Sequence, residues 1–149
     1  MNTINCVIVD DEPIARNILE TFVAKIPNLN LVKSCKNAME AFEISNTQNI
    51  DLFFLDINMP DISGLSLAKT INKKSKIIFT TAYREYAVDG FDLQVVDYLL
   101  KPIAFDRFLQ AVNKFFETQY VIVKQVDVEE TPVKNNYIFV RSERKMVKI

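Results

Sequence analysis

Short apolar runs alternate with segments of helical spacing along this chain. Ile4–Val9, broken only by Asn5, is rich in β-branched residues and predicts a buried strand ending at Asp10-Asp11-Glu12. Pro13 suits the first turn of a helix. Ile14, Ile18, Phe22 and Ile26 then recur at helical spacing, widened by Ala15, Leu19 and Val23, until Pro27-Asn28 stops the pattern. Leu29–Ser34 is a weaker strand. Asn37 followed by Glu40 predicts a capping box opening a helix to about Gln48, with Ala38, Ala41 and Phe42 inward. Leu52–Leu55 is apolar without alternation, as in a strand covered on both faces, and Asp56 stands at its carboxyl end. After the loop Asp61–Gly64, Ser63 can cap a third helix with Leu65, Ala68 and Ile71 inward. Lys76–Thr81 predicts a fourth strand, Arg84 to about Gly90 a short helix, and Val95–Leu100 a fifth strand closed by Lys101-Pro102. Phe105, Phe108, Leu109, Val112, Phe115 and Phe116 mark a long amphipathic final helix.

Strands and helices in strict alternation define an α/β fold: a doubly wound, five-stranded parallel sheet with helices on both faces. The C-terminal region breaks the pattern. Residues 121–136, with Glu129-Glu130, Pro132 and Asn135-Asn136, read as a linker. Tyr137–Arg141 and Met146–Ile149 then form a short β hairpin around Ser142–Lys145. From Lys134 onward there are five basic residues and one acid, leaving 13 basic and 18 acidic residues before it, a net of −5. The expected organisation is therefore a domain over 1–120, a linker over 121–136, and the beginning of a different unit over 137–149.

Composition removes several chemistries. The chain has no histidine, which excludes Ser-His-Asp and Cys-His catalysis, His-ligated zinc and a histidine phosphodonor. Two glycines leave no glycine-rich nucleotide loop. Cys6 and Cys35 are isolated in apolar contexts and read as core thiols of a reducing compartment. No apolar run approaches membrane-spanning length, so no membrane insertion and a cytoplasmic location are expected.

In a doubly wound sheet, ligands sit at the carboxyl ends of the strands. Here those ends carry Asp10 and Asp11, Asp56, Thr80-Thr81 and Lys101. Taken singly, each has a plain reading: a helix-capping pair, a loop cap, a strand residue, a surface lysine. Together they bring three carboxylates, a hydroxyl and an ammonium to one edge. Clustered carboxylates stay ionised only beside a cation, and an all-oxygen set favours Mg²⁺ or Mn²⁺. A carboxylate so held can attack phosphorus to give an acyl phosphate, with Lys101 and a threonine hydroxyl stabilising the phosphoryl charge. Besides a phosphoryl-accepting switch, this set fits a Mg²⁺-dependent phosphohydrolase with an aspartyl-phosphate intermediate, although such enzymes need a second acid where Asn58 stands. A module that never becomes phosphorylated is a third reading.

The motifs Asp10-Asp11-Glu12-Pro13, Leu55–Pro60 with Gly64, Thr81-Ala82 and Tyr98–Pro102 resemble those of bacterial response-regulator receiver domains, in order and spacing, over about residues 1–120. The resemblance implies a flavodoxin-like strand order 2-1-3-4-5. It makes Asp56 the phosphoacceptor, with Asp11, Asp56 and the main-chain carbonyl of Asn58 on Mg²⁺ and Asp10 acting mainly through water. Lys101 would pair with the phosphoryl group and Thr81, which precedes the small Ala82, would hydrogen-bond to it. Tyr98 would turn inward as Thr81 moves, altering the face formed by the fourth helix, fifth strand and fifth helix, where Arg84, Glu85, Asp89, Asp92, Asp97, Arg107 and Lys114 could support a homodimer on phosphorylation. A cis bond before Pro102 is also implied. Val95-Val96 departs from the Gly-Ala common at that point. The basic hairpin resembles the opening of a LytTR-type DNA-binding domain. That implies a truncated transcription regulator, a sensor histidine kinase (membrane-bound by family analogy) as donor, and DNA binding only through the complete output domain. Self-phosphorylation and autodephosphorylation would be its only catalysis.

Overall fold

The computed structural model describes residues 3–60, 62–84 and 95–130. The elements are β1 (Ile4–Val9), α1 (Pro13–Ala24), β2 (Leu29–Cys35), α2 (Ala38–Thr47), β3 (Leu52–Asp56), α3 (Gly64–Ile71), β4 (Lys76–Thr81), β5 (Asp97–Leu100) and α4 (Phe105–Glu130). The five strands form one parallel sheet in the order β2-β1-β3-β4-β5, as expected. Of the predicted short helix, Arg84 is helical and the remainder lies outside the described residues, as does the predicted hairpin over 137–149.

β3 is central, and all five of its residues are buried. Its odd-numbered positions, Phe53 and Leu55, join Val7, Val9, Ile77 and Phe79 in a core closed by Ala38 and Ala41 of α2 and Leu67, Ala68 and Ile71 of α3. On the opposite face, Phe54 stacks on Phe108 of α4 at 5.1 Å between ring centroids. Phe22 of α1 packs edge-on to Phe105 at 5.2 Å. Among the described residues, strand alternation thus sets α2 and α3 against one face and α1 and α4 against the other.

Local signals place the helix starts. The Asn37 side chain accepts the Glu40 amide at 2.9 Å, and Glu40 reaches back to the Lys36 amide at 3.0 Å, one residue before the expected reciprocal partner. Ser63 accepts the Ser66 amide at 3.2 Å and caps α3.

Four predicted packing positions, on three helices, need correction. Ile14 is 75% exposed and Ile18 39%, so the buried stripe of α1 is carried by Leu19 and Val23, with Phe22 beside them. Phe42 is 38% exposed, and α2 packs through its two alanines. On α3 the fully inward leucine is Leu67, with Leu65 only partly covered. Each time the helical period was right and the rotational phase was set by the sheet.

The chain divides into two compact units, Met1–Phe115 and Phe116–Ile149, and the boundary falls within α4. That helix continues to Glu130, through the first ten residues of the expected 121–136 linker. Nothing between Phe105 and Glu130 is glycine or proline, and the next proline in the sequence is Pro132.

Candidate functional site

β1 and β3 are adjacent in parallel register, with Val9 opposite Leu55, so the next residues, Asp10 and Asp56, emerge at one end of the sheet. This is where the strand order reverses, the position that opens a crevice in a doubly wound sheet. Asp10 is wholly buried, Asp56 is 3% exposed and Asp11 is exposed. One carboxylate oxygen from each lies within 4.8 Å of the others.

Lys101, arriving from the end of β5, answers this charge. Its Nζ is 2.9 Å from Asp10 Oδ2, 3.5 Å from Asp56 Oδ1 and 3.5 Å from Glu12 Oε1. The Lys101–Pro102 peptide is cis, as expected. Burial opposes the ammonium, but contact with Asp10 and the charges of Asp56 and Glu12 outweigh it and hold the lysine above its ordinary pKa. Asp56 moves the other way. Burial and the neighbouring Asp10 charge, with a smaller push from Asp11, raise its carboxyl to about 7 against the pull of Lys101 and of the Asn58 amide. One ammonium does not neutralise the cluster. An all-oxygen set this crowded fits a hard divalent cation, with Asp10, Asp11 and Asp56 as the groups able to hold it.

The loop after β3 is tightly held. The Asn58 amide donates to Asp56 Oδ1 at 3.3 Å and the Gly64 amide to the Ile57 carbonyl at 2.7 Å. Gly64 has no room for a side chain: a Cβ there would collide with the Asp56 carbonyl. Thr81, at the end of β4, donates its hydroxyl to Asn58 Oδ1 at 3.4 Å and accepts the Tyr83 amide at 3.0 Å. The hydroxyl of Thr80 is buried and hydrogen-bonds to nothing among the described residues, so Thr81 is the threonine engaged with the Asp56 loop. Tyr98 is half-buried, its ring 5.5 Å from that of Phe79.

Residues 6–113 match the response regulator receiver domain family. The chain belongs to that family. It is 44% identical over 110 residues to the sensory transduction protein LytR of Staphylococcus haemolyticus, covering 72% of this chain and 43% of that one. It is 39% identical over 115 residues to the transcriptional regulatory protein LytR of Staphylococcus aureus, covering 75% and 47%. The chain therefore spans less than half the length of these curated relatives. Among solved structures, it resembles the response regulatory domain of mrkE from Klebsiella pneumoniae at TM-score 0.71 and 30% identity, covering 77% of this chain and 97% of that one. It also resembles the response regulator TrrA from Thermotoga maritima in complex with Mg²⁺-BeF, at TM-score 0.67 and 34% identity, covering 76% and 99%. Receiver domains of this regulatory family are phosphorylated by sensor histidine kinases. No helix among the described residues is long and apolar enough to cross a membrane.

The predicted site residues Asp10, Asp11, Asp56 and Lys101 come together, with Thr81 linked to them through Asn58. Tyr98 is placed one strand away, against β4. Glu12 makes no capping bond and joins Lys101 at the acidic pocket. Two participants escaped sequence reasoning. The Asn58 side chain holds Thr81, where only its carbonyl was anticipated; an amide two residues beyond the central aspartate was the available signal. Arg16 donates to the Asp10 carbonyl at 2.7 Å and carried no signal, because a charged residue on a helix normally marks a solvated face.

Proposed function

We propose that this chain is a phosphorylation-dependent switch in which Asp56 receives a phosphoryl group from a histidine kinase. The observation that carries the reading is the meeting of three strand-end carboxylates within 4.8 Å with the Lys101 ammonium among them. A carboxylate oxygen of Asp56 forms the new P–O bond as the N–P bond of the donor phosphohistidine breaks, leaving the electron pair on the imidazole nitrogen. Asp11, Asp56 and the Asn58 carbonyl would hold Mg²⁺, with Asp10 acting mainly through water, and the ion would supply positive charge against the phosphoryl oxygens. Lys101 moves from carboxylate partners to the phosphoryl group.

Transmission follows from exchange of partners. The Thr81 hydroxyl, engaged with Asn58, turns to a phosphoryl oxygen, and Tyr98 moves into the space it leaves beside Phe79. The output face comprises the segment beginning at Arg84, β5 and α4. On it, Asp97, Arg107 and Lys114 are bound to one another within the chain, so dimerisation on phosphorylation must use or rearrange that network. Glu85, Asp89 and Asp92 lie outside the described residues. A cavity of about 580 Å³ beside the site, lined by Ile14, Ile18, Ala82, Lys101, Pro102 and Ile103, gives the donor an apolar seat. The domain division 1–120, 121–136 and 137–149 belongs to this proposal, with the α4 helix entering the connecting segment. In the longer protein the switch controls a LytTR-type DNA-binding domain and hence transcription, from the cytoplasm. The domain turns over only its own phosphoryl group.

Incubation with acetyl phosphate and Mg²⁺, read by intact mass, tests the proposal. The wild type gains one phosphoryl mass, and chelation of the metal or Asp56→Asn abolishes the gain. A wild type that stays unmodified contradicts it.

A further inference from the structure

Asp10 is anchored on every polar group it has. Its amide donates to the Cys35 carbonyl at 3.0 Å, its Oδ1 accepts the Glu12 amide at 3.0 Å, and its Oδ2 faces Lys101. Its carbonyl oxygen accepts from the Arg16 guanidinium at 2.7 Å, a charge-assisted bond reaching back six residues from α1. Asp11 is the opposite case. It is exposed, and among the described residues no hydrogen bond or ion pair reaches its carboxylate.

The Asp10 carbonyl lies in the same rigid plane as the Asp11 amide, because the peptide bond between them does not rotate. Fixing that oxygen fixes the plane, and so restricts the direction in which Asp11 leaves the backbone. Arg16 is the side chain that does this. It is half-buried, sits one helical turn past Glu12 and donates its own amide to the Glu12 carbonyl at 3.1 Å, so the end of β1 and the start of α1 are tied together at both the side chain and the main chain.

We infer that Arg16 is a positioning residue for the acidic pair: by holding the Asp10–Asp11 peptide plane it aims the exposed Asp11 carboxylate at the divalent-cation position shared with Asp56. The inference rests on the proposed Mg²⁺-binding reading of this site. Residues that orient metal ligands without touching the metal typically change affinity 10–100-fold when removed. A single ammonium on a shorter stem can reach one carbonyl but lacks the planar fork, so lysine should restore part of the effect.

The test is calorimetric titration of the full chain with Mg²⁺, comparing wild type, Arg16→Met, Arg16→Lys and Leu19→Ala, with thermal unfolding of each. Arg16→Met keeps the apolar stem, and Leu19→Ala weakens α1 packing without touching the loop. The expected result is Mg²⁺ affinity lowered about 10-fold in Arg16→Met, partly recovered in Arg16→Lys, and unchanged in Leu19→Ala despite its lower unfolding temperature. Affinity within twofold of wild type in Arg16→Met overturns the inference, as does an equal loss in Leu19→Ala. If Arg16→Met does not fold, Arg16→Lys decides: wild-type affinity overturns the inference and a several-fold loss supports it. A wild type that binds no Mg²⁺ overturns the site reading itself, an outcome distinct from normal binding with an indifferent Arg16.

Discussion

Lys101 leans toward Asp10 rather than Asp56: its Nζ is 2.9 Å from the first carboxylate and 3.5 Å from the second. Asp10 is wholly buried, and this ammonium is the cation in direct contact with its side chain. Lys101→Met should therefore destabilise the metal-free domain by about 3 kcal/mol at neutral pH, the usual scale for orphaning a buried partner. Urea unfolding in the presence of a chelator measures it, and Mg²⁺ should recover part of the loss. A variant as stable as wild type would mean that Asp10 has another source of compensation.

Asp56 makes the metal-free protein sensitive to pH in the opposite sense to an ordinary paired carboxylate. Its folded pKa is raised to about 7, by burial first and then by Asp10, while the unfolded chain releases this proton near ~3.9. The folded state binds the proton more tightly, so stability is lost as pH rises from the unfolded value through about 7, and levels off above it. Asp56→Asn removes this dependence. Without divalent ions the variant should exceed wild type by on the order of 1–3 kcal/mol at pH 8, with the gap closing toward pH 4. Chemical denaturation across that range checks the sign, and saturating Mg²⁺ should narrow the gap at pH 8.

Gly64 is required by shape. With its absent side chain directed at the Asp56 carbonyl, Gly64→Ala must displace either α3 or the loop that carries Asp56 and Asn58. The expected cost is about 1–3 kcal/mol, accompanied by weaker Mg²⁺ binding. Thermal unfolding with and without Mg²⁺ separates the two effects, and unchanged values for both would show that the contact relaxes freely.

The Asp97–Arg107 pair should govern acid stability at the other end of β5. Burial works against the Asp97 carboxylate, but a bidentate grip by Arg107 at 2.9 Å, the Tyr98 amide and Lys114 together hold its pKa below the ordinary value. A lowered folded pKa gives stability that is present above the unfolded pKa of about 4 and is lost as pH falls through the folded value. Arg107→Met should cost about 1 kcal/mol at pH 7, because Lys114 remains, and should flatten the fall in acid. Arg107 also donates to the Tyr98 carbonyl at 3.1 Å, so the same variant should alter tyrosine signals on phosphorylation.

The sheet and the core of the site were legible because each rests on a strong rule. Apolar runs broken by carboxylates mark strands that stop at a functional edge, and the βα repeat puts those edges together. What stayed hidden depends on rotation or on backbone partners. Ile14 and Ile18 have the same helical period as Leu19 and Val23, and spacing cannot say which side of the stripe meets the sheet. Arg16 and the Asn58 side chain act through contacts with a carbonyl and a hydroxyl that only the folded chain brings near. The continuation of α4 to Glu130 was obscured by its acidic end, which resembles a linker although nothing before Pro132 interrupts a helix.

The most direct test locates the phosphoryl group. After phosphorylation with acetyl phosphate and Mg²⁺, borohydride reduction converts an aspartyl phosphate to homoserine, which tandem mass spectrometry can assign to one residue. The account predicts homoserine at position 56, absent without Mg²⁺ and absent in Asp56→Asn. Homoserine at Asp10 or Asp11, or no conversion in a wild type shown to bind Mg²⁺, would contradict it.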